Sequence, residues 1–230
     1  MSCILSIETS TNICSVAMSY DGECIFNQEN HQGPNHNEIL GTFIDEALTF
    51  IDTRNITLDA VAVSSGPGSY TGLRIGTSMA KGICYGRDAK LIAVPTLELL
   101  AVPVLLGEMV AEDDALLVPM LDARRMEVYA QVLDRALKEV RGIQADVVTA
   151  DTYRAFLDAH GVYFFGNGAA KCMDTIAHPH AHLIANITPL AKNMSPLAEK
   201  RLAEGRVEDV AYFVPFYLKD FVAKTPKKLI

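Results

Sequence analysis

A chain of 230 residues, half of them hydrophobic and 21% charged, has the composition of a globular protein with ample core, which excludes disorder as its main state. Lys and Arg number 20 against 28 Asp and Glu, a net charge of −8, so the chain is a poor stand-alone binder of nucleic acid, whose phosphates call for clustered Lys and Arg. The longest stretch without a charged residue, 175–191, contains His178, His180, His182, Pro179 and Pro189, which excludes it as a membrane-spanning helix. The N-terminus shows no basic leader or cleavage pattern, so a cytoplasmic location is expected. Cys3, Cys14, Cys24, Cys84 and Cys172 form no C-x-x-C pair and read as reduced, mostly buried side chains.

Cys3 to Glu8 is a short apolar run ending in a carboxylate, and the polar turn Thr9-Ser10-Thr11-Asn12 follows it. Ile13 to Tyr20 is a second apolar run, Asp21-Gly22 signals a hairpin turn, and Glu23 to Glu29 is a third strand. A helix spans Asn37 to Ile51, Ala60 to Ser64 is a fourth strand, and a glycine-rich loop opens a second helix, Thr71 to Gly86. Lys90 to Pro95 is a fifth strand, and Thr96 to Gly107 is a third helix, kinked at Pro103. The order then recurs. Ala115 to Leu121 runs into Asp122, Ala123-Arg124-Arg125 is the turn, Met126 to Asp134 is a strand, and Leu137 to Val148 holds one or two more. Asp151 to His160 reads as a helix and Gly161 to Phe165 as a strand, with Gly166-Asn167-Gly168 and a short helix from Ala169 behind it. Ala181 to Ile187 is a strand, and Ser195 to Glu204 is a helix capped at Ser195, with Pro196 in its first turn.

Strand-strand-strand-helix-strand-helix-strand-helix thus occurs twice, each time with a carboxylate ending strand one and a Gly-x-Gly turn after strand four. This pattern predicts a duplicated α/β architecture with a mixed sheet in each half, the order found in the actin, Hsp70 and sugar-kinase group of ATPases (the ASKHA, RNase H-like fold). The boundary falls where Gly107-Glu-Met-Val-Ala-Glu-Asp-Asp114 interrupts the apolar pattern, giving domains 1–107 and 108–230. The tail from Val207 has no counterpart in the first half and is expected to pack back across the domains.

The strongest local feature is Ser64-Ser-Gly-Pro-Gly-Ser-Tyr-Thr-Gly-Leu-Arg-Ile-Gly76, between a strand and a helix. Such a loop aims backbone N–H groups at a helix N-terminus and suits an anion; it equally serves as a tight turn that needs glycine for backbone reasons. No Gly-Lys-Ser/Thr follows, so it is not a Walker A loop, and three strands precede it where the dinucleotide fingerprint follows the first. Glu8 and Asp122, with Ser65, Gly66, Gly68 and Gly168, are candidates for a nucleotide site, since a duplicated ATPase holds a metal-bound water and phosphates at such positions; a carboxylate at a turn also bonds neighbouring backbone N–H groups. His178, His180 and His182 alternate, which on a strand places them on one face, either as metal ligands or as a solvent-facing edge. No Gly-x-Ser-x-Gly elbow occurs, so Ser–His–Asp chemistry has no local support.

At ~100° per residue, Ile39, Leu40, Phe43, Ile44, Ala47, Leu48, Phe50 and Ile51 cover an arc of about 180° on the first helix. That is wider than the ~100° stripe one sheet face covers. The second helix carries Gly72, Gly76 and Ala80 at four-residue spacing, flanked by Ile75, Met79 and Ile83. Internal glycines cost a helix ~1 kcal/mol each relative to Ala, and close approach of another backbone offsets this. Either these helices pack only on each other and their sheet, or Ile39, Phe43, Ala47, Phe50, Gly72, Ile75, Gly76, Met79, Ala80 and Ile83 form a protein–protein interface. On the second reading Gly76→Arg breaks partner binding and leaves the monomer folded.

Ile4-Leu-Ser-Ile-Glu-Thr-Ser10, the glycine-rich segment, Leu121-Asp-Ala-Arg-Arg-Met-Glu-Val-Tyr129 and Pro215-Phe-Tyr-Leu-Lys219 together resemble, in order and over essentially the whole chain, the bacterial TsaB (YeaZ) family. The resemblance implies a duplicated actin/Hsp70-like fold and a part in making threonylcarbamoyladenosine beside the anticodon of tRNA. It also implies a catalytic partner, the paralogue TsaD, which carries His-x-x-x-His after its fifth strand and binds a metal there. Thr96 and Leu100 stand at those positions here, and neither can chelate a metal. The implied role is a non-catalytic scaffold, with no metal or cofactor of its own and with ATP and metal on the partner side. The first two long helices would meet TsaD, or a second copy of the chain, as a bundle. A TsaE-like ATPase completes the implied complex, tRNA is reached through it, and no membrane is involved. Two other readings stay open: an independent ATPase or small-molecule kinase using Glu8, Asp122 and the glycine loops, and the M22-type glycoprotease of an older family label. The His178–His182 run and the Lys224–Lys228 tail match nothing in the family and receive no role.

Overall fold

The computed structural model describes residues 1–33 and 35–219; the Lys224–Lys228 run lies outside the described residues. Ten strands among the described residues form two sheets of one topology. In the first, β1 (Cys3–Glu8) is central, antiparallel to β2 (Cys14–Tyr20) and parallel to β4 (Ala60–Ser64). β3 (Glu23–Asn30) continues beyond β2 and β5 (Lys90–Val94) beyond β4, giving the order β3-β2-β1-β4-β5. In the second, β6 (Leu116–Asp122) takes the place of β1, with β7 (Glu127–Leu133) and β8 (Glu139–Val147) on its antiparallel side. β9 (Val162–Phe165) and β10 (Ala181–Ile184) lie on its parallel side, so the order is β10-β9-β6-β7-β8. The segment 137–148 is therefore one strand, β8.

The helices differ more between the halves. α1 (His36–Asp52) buries Leu40, Ile44, Ala47 and Ile51, an i, i+3/i+4 stripe that seats it on the first sheet. α2 (Tyr70–Arg87) begins where the Ser69 side chain accepts the Gly72 N–H and ends where Asp88 turns left-handed. α3 (Thr96–Leu106) contains Pro103 and is apolar on every side. Against the expected helix Asp151–His160, only one turn forms, α4 (Arg154–Leu157). The Thr152 hydroxyl accepts the Thr149 N–H at 2.8 Å, so this threonine turn occupies the residues that would have opened the helix. α5 (Met173–Ile176), behind a 3-10 turn at Ala170–Cys172, is one turn as well. α6 (Ser195–Ala203) follows a 3-10 turn at Ala191–Asn193. Ser195 does not cap it: its hydroxyl donates to the Gly22 carbonyl at 3.0 Å, and the cap position is Met194.

Period-two alternation gives each sheet two apolar faces. The outer face of the first, with Leu5, Ile7, Val61 and Val63, packs under α1 and α2. Its inner face, with Ile4, Ala60, Ala62, Ile92 and Val94, is covered by Leu99 and Val102 of α3 and by Met194, Leu197 and Ala198 at α6. The inner face of the second sheet, with Leu117, Leu121 and Phe165, is covered by Leu97, Leu100, Ala101 and Val104 of α3. The strands divide near residue 107, but the packing does not: α3 lies under the second sheet and α6 under the first. Hydrogen bonds join Ala191 N–H to Ser15 Oγ at 2.9 Å and Arg201 to Glu98 at 2.8 Å, so the return across the halves begins before Val207. From there a strap bridges Glu208 to Leu91 on β5, follows α2, where Lys81 Nζ donates to the carbonyls of Ala211 (2.9 Å) and Phe213 (3.2 Å), and reaches β7, where Lys219 pairs with Glu127 at 2.5 Å. Among the described residues no helix is long and apolar enough to cross a membrane.

Candidate functional site

The ends of β1 and β6 carry Glu8 and Asp122, at equivalent places in the two sheets. Glu8 is fully buried. Its Oε1 accepts the Ser10 N–H at 2.6 Å and the Ser10 hydroxyl at 2.5 Å, the local turn that such a carboxylate makes. Its Oε2 and the neighbouring Ser64 Oγ form no hydrogen bond of full geometry, yet the Ser64 hydroxyl is close enough to favour the charged carboxylate. Burial raises the Glu8 carboxyl above its ordinary range, and Ser10, with a smaller part from the Ser64 hydroxyl, only partly offsets this.

Asp122 is exposed. Partial burial acts to raise its carboxyl, but the bond from Lys171, the Arg124 N–H at 3.0 Å and the charges of Lys171 and Arg124 hold it below the ordinary value. The Lys171 ammonium donates to Asp122 and also to the carbonyls of Arg125 (2.6 Å) and Glu127 (2.8 Å), so an internal cation sits at the mouth of this turn. Asn167 Oδ1 accepts the Asp122 N–H at 2.9 Å. Nothing local to Lys171 or Asn167 marks either as a partner of Asp122; the contacts span more than forty residues and follow from the parallel pairing of β6 and β9.

The glycine-rich loop is built around the chain's own backbone. Ser65 donates its N–H to Val94 and accepts the Phe216 N–H at 2.7 Å. Gly66 has φ +103°, and the Phe216 carbonyl fills the place a Cβ would take. A Cβ on Gly68 would lie 2.6 Å from the Ser10 carbonyl, to which Ser69 N–H donates at 2.7 Å. One on Gly168 would lie 2.8 Å from the Leu121 carbonyl carbon. The tight-turn reading accounts for these glycines, each of which has backbone where a Cβ would lie.

The expected interface set divides. Ala47, Gly72, Gly76 and Ala80 are buried within the chain. A Cβ on Gly72 would strike the Thr9 carbonyl and one on Gly76 the Thr9 hydroxyl, which donates to the Gly72 carbonyl at 2.8 Å. This stripe admits the β1–β2 turn rather than a partner, which corrects the expectation that Gly76→Arg leaves the monomer folded. Ile39, Phe43, Phe50, Ile75, Met79 and Ile83 are half-buried against the first core, with part of each side chain at the surface. Gly82 and Gly86, farther along α2, have open space where a Cβ would be. Beside them Tyr85, 89% exposed, lines a groove of about 640 Å³ with Lys81, Gly82, Asp209, Val210 and Ala211.

The three histidines do not share one point. His178 and His180 pack edge to face at 5.3 Å, His178 facing Asp158 at 3.5 Å and His180 Nδ1 bonding the Leu157 carbonyl at 2.8 Å, while His182, on the edge strand β10, lies against Tyr163 at 4.8 Å. Among the described residues no three His, Cys, Asp or Glu side chains gather as metal ligands. Thr96 and Leu100 are fully buried. Four of the five cysteines are buried; burial pushes Cys14 up to about 12 and Cys3 and Cys84 up to about 11, outside the range of reactive thiols.

Two mixed sheets of identical strand order, each with a carboxylate closing its central strand, define a duplicated actin-like α/β protein. Its fold is that of YeaZ from Pseudomonas aeruginosa, with a TM-score of 0.77 and 24% identity over 95% of this chain and all of that one. The family described as "TsaD: tRNA N6-adenosine threonylcarbamoyltransferase" matches residues 25–227. The tRNA threonylcarbamoyladenosine biosynthesis protein TsaB of Escherichia coli K12 is 27% identical over 98% of this chain and 99% of its own. A tRNA N6-adenosine threonylcarbamoyltransferase of Staphylococcus aureus is 30% identical over 59% of this chain and 47% of its own. The chain belongs to this threonylcarbamoyltransferase family, in its TsaB (YeaZ) branch.

Proposed function

We propose that the chain is a non-catalytic scaffold subunit of the complex that transfers threonylcarbamoyl to the adenosine beside the anticodon of tRNA. It acts by holding the catalytic TsaD-like paralogue against the outward faces of α1 and α2. The observation that carries this reading is the apolar strip that remains once the chain's own core is satisfied: Ile39, Phe43, Phe50, Ile75, Met79 and Ile83. Further support comes from the places where a relative would do chemistry, which this chain fills from within. Lys171 neutralises Asp122, Ser10 holds Glu8, and Thr96 and Leu100 stand where a metal-binding pair is expected. On this reading nucleotide and metal belong to the partner side, a TsaE-like ATPase joins the complex, and a homodimer through the same helices competes with it.

The test is co-purification with the TsaD-like chain of the same organism, then threonylcarbamoyl transfer with each subunit omitted in turn. Ile75→Glu with Met79→Glu, at half-exposed positions, should leave the chain folded, weaken the pair at least 100-fold (about 2.7 kcal/mol) and abolish transfer. ATP turnover by this chain alone, without need of the partner, would overturn the proposal.

Gly82 refines the test. Alanine there meets nothing in the free chain and should stabilise α2 by about 0.5–1 kcal/mol in urea denaturation. If a partner helix approaches closely at this point, the same change weakens the pair, so monomer stability and partner affinity move in opposite directions.

A further inference from the structure

The four-residue connection between β6 and β7 contains Arg124 and Arg125 at φ 73° and 51°. Among the described residues they are the one pair of adjacent non-glycine residues with left-handed backbone. Arginine is a poor choice for that conformation, which Gly and Asn adopt with less strain. Both are exposed, and neither forms an ion pair or a side-chain hydrogen bond among the described residues. The two carboxylates flanking them are already neutralised, Asp122 by Lys171 and Glu127 by Lys219. The turn therefore presents two exposed guanidinium groups with no ion pair of their own, Arg124 acting on Asp122 only at longer range, on a chain whose net charge is −8. Strain retained at an exposed turn marks a site whose side chains are used outside the fold.

We propose that Arg124 and Arg125 bind the phosphodiester backbone of RNA, as this chain's own contact with the tRNA handled by the complex. The inference rests on the scaffold reading above. Guanidinium is the side chain best matched to phosphate oxygens, through paired N–H donors. The site is an exposed turn rather than a concave pocket, which suits an extended polyanion better than a small nucleotide. Two contacts are too few for tight binding alone, so the acidic body and the basic turn are consistent: the chain adds to an RNA site and does not constitute one.

The experiment compares wild type, Arg124→Asn with Arg125→Gly, and Arg124→Lys with Arg125→Lys. Fluorescence anisotropy with a labelled tRNA transcript is read as a function of salt on the complex with the TsaD-like partner. The Asn/Gly variant should assemble normally and melt a few degrees higher as the strain is released. It should bind the transcript about tenfold more weakly near 0.1 M salt, with a salt slope shallower by about 2. The Lys/Lys variant should keep the slope, because the charge is kept. Unchanged affinity and slope in the Asn/Gly variant would overturn the proposal. Loss of assembly would also overturn it, by assigning the turn to a partner's carboxylates. If wild type forms no complex, the scaffold reading falls separately. The isolated chain, titrated with the same transcript at low salt, then decides the RNA contact by whether its binding depends on both arginines.

Discussion

Gly72→Ala should destabilise the protein by about 3 kcal/mol, read as a lower urea midpoint with an unchanged slope. The added Cβ lands on the Thr9 carbonyl, which is backbone and cannot rotate away. Relieving the clash moves α2 off the β1–β2 turn and gives up the hydrogen bond from the Thr9 hydroxyl to the Gly72 carbonyl. Overpacking costs about 1–3 kcal/mol and the lost bond about 0.5–1.5. Gly76→Arg meets the Thr9 side chain instead of its backbone but adds a long charged side chain at a buried position, and should not yield soluble folded protein. A folded, partner-deficient Gly76→Arg monomer would show that this stripe faces a partner after all.

The second large effect is at Glu8, where the choice of substitution separates two roles. Glu8→Ala leaves the Ser10 N–H without its acceptor inside a buried turn and opens a cavity, a loss of about 3 kcal/mol. Glu8→Gln keeps an acceptor for Ser10 and carries no charge, so it should be as stable as wild type or more stable at neutral pH. The pH dependence has a definite sign. Burial raises the carboxyl in the folded state, so the folded chain holds its proton over a range in which the unfolded chain has lost it. Stability from this group is complete below the unfolded value, falls as pH rises towards the folded one, and is level above it. Glu8→Gln should abolish that slope. A carboxylate retained for metal-bound water would behave otherwise: Gln would fold well and remove activity from the assembled complex.

Much of this was legible because the signals are local. The first strands ending in Glu8 and Asp122, the Asp21-Gly22 hairpin and the paired Gly-x-Gly turns follow from apolar alternation and turn chemistry within a few residues. What escaped depends on distant partners. Four-residue spacing puts Gly72 and Gly76 on one face of α2 but does not say whether Thr9, 63 residues from Gly72, or another chain lies against it. Gly82 and Gly86 repeat the spacing and face open space. Lys171 gave no signal, because its role is defined by a strand end 49 residues away. The helix expected over 151–160 shrank to one turn because Thr149 and Thr152 bond each other, an option that helical periodicity does not weigh.

The exchange of α3 and α6 bears on how this duplicated protein behaves as a unit. Each sheet's inner face is roofed at least in part by a helix from the other half of the sequence, α3 reaching both sheets and α6 the first. Residues 1–107 made alone would expose Leu97, Leu100, Ala101 and Val104 to water, and residues 108–230 alone would leave the inner face around Leu117 and Phe165 uncovered. The two repeats are thus separable in the gene and inseparable in the fold. Heat or urea should therefore unfold the two repeats in one transition, because α3, α6 and the strap all cross between the halves. Packing shared in this way ties α1 and α2 to both sheets, so a surface built on them is set by the whole chain and not by one repeat.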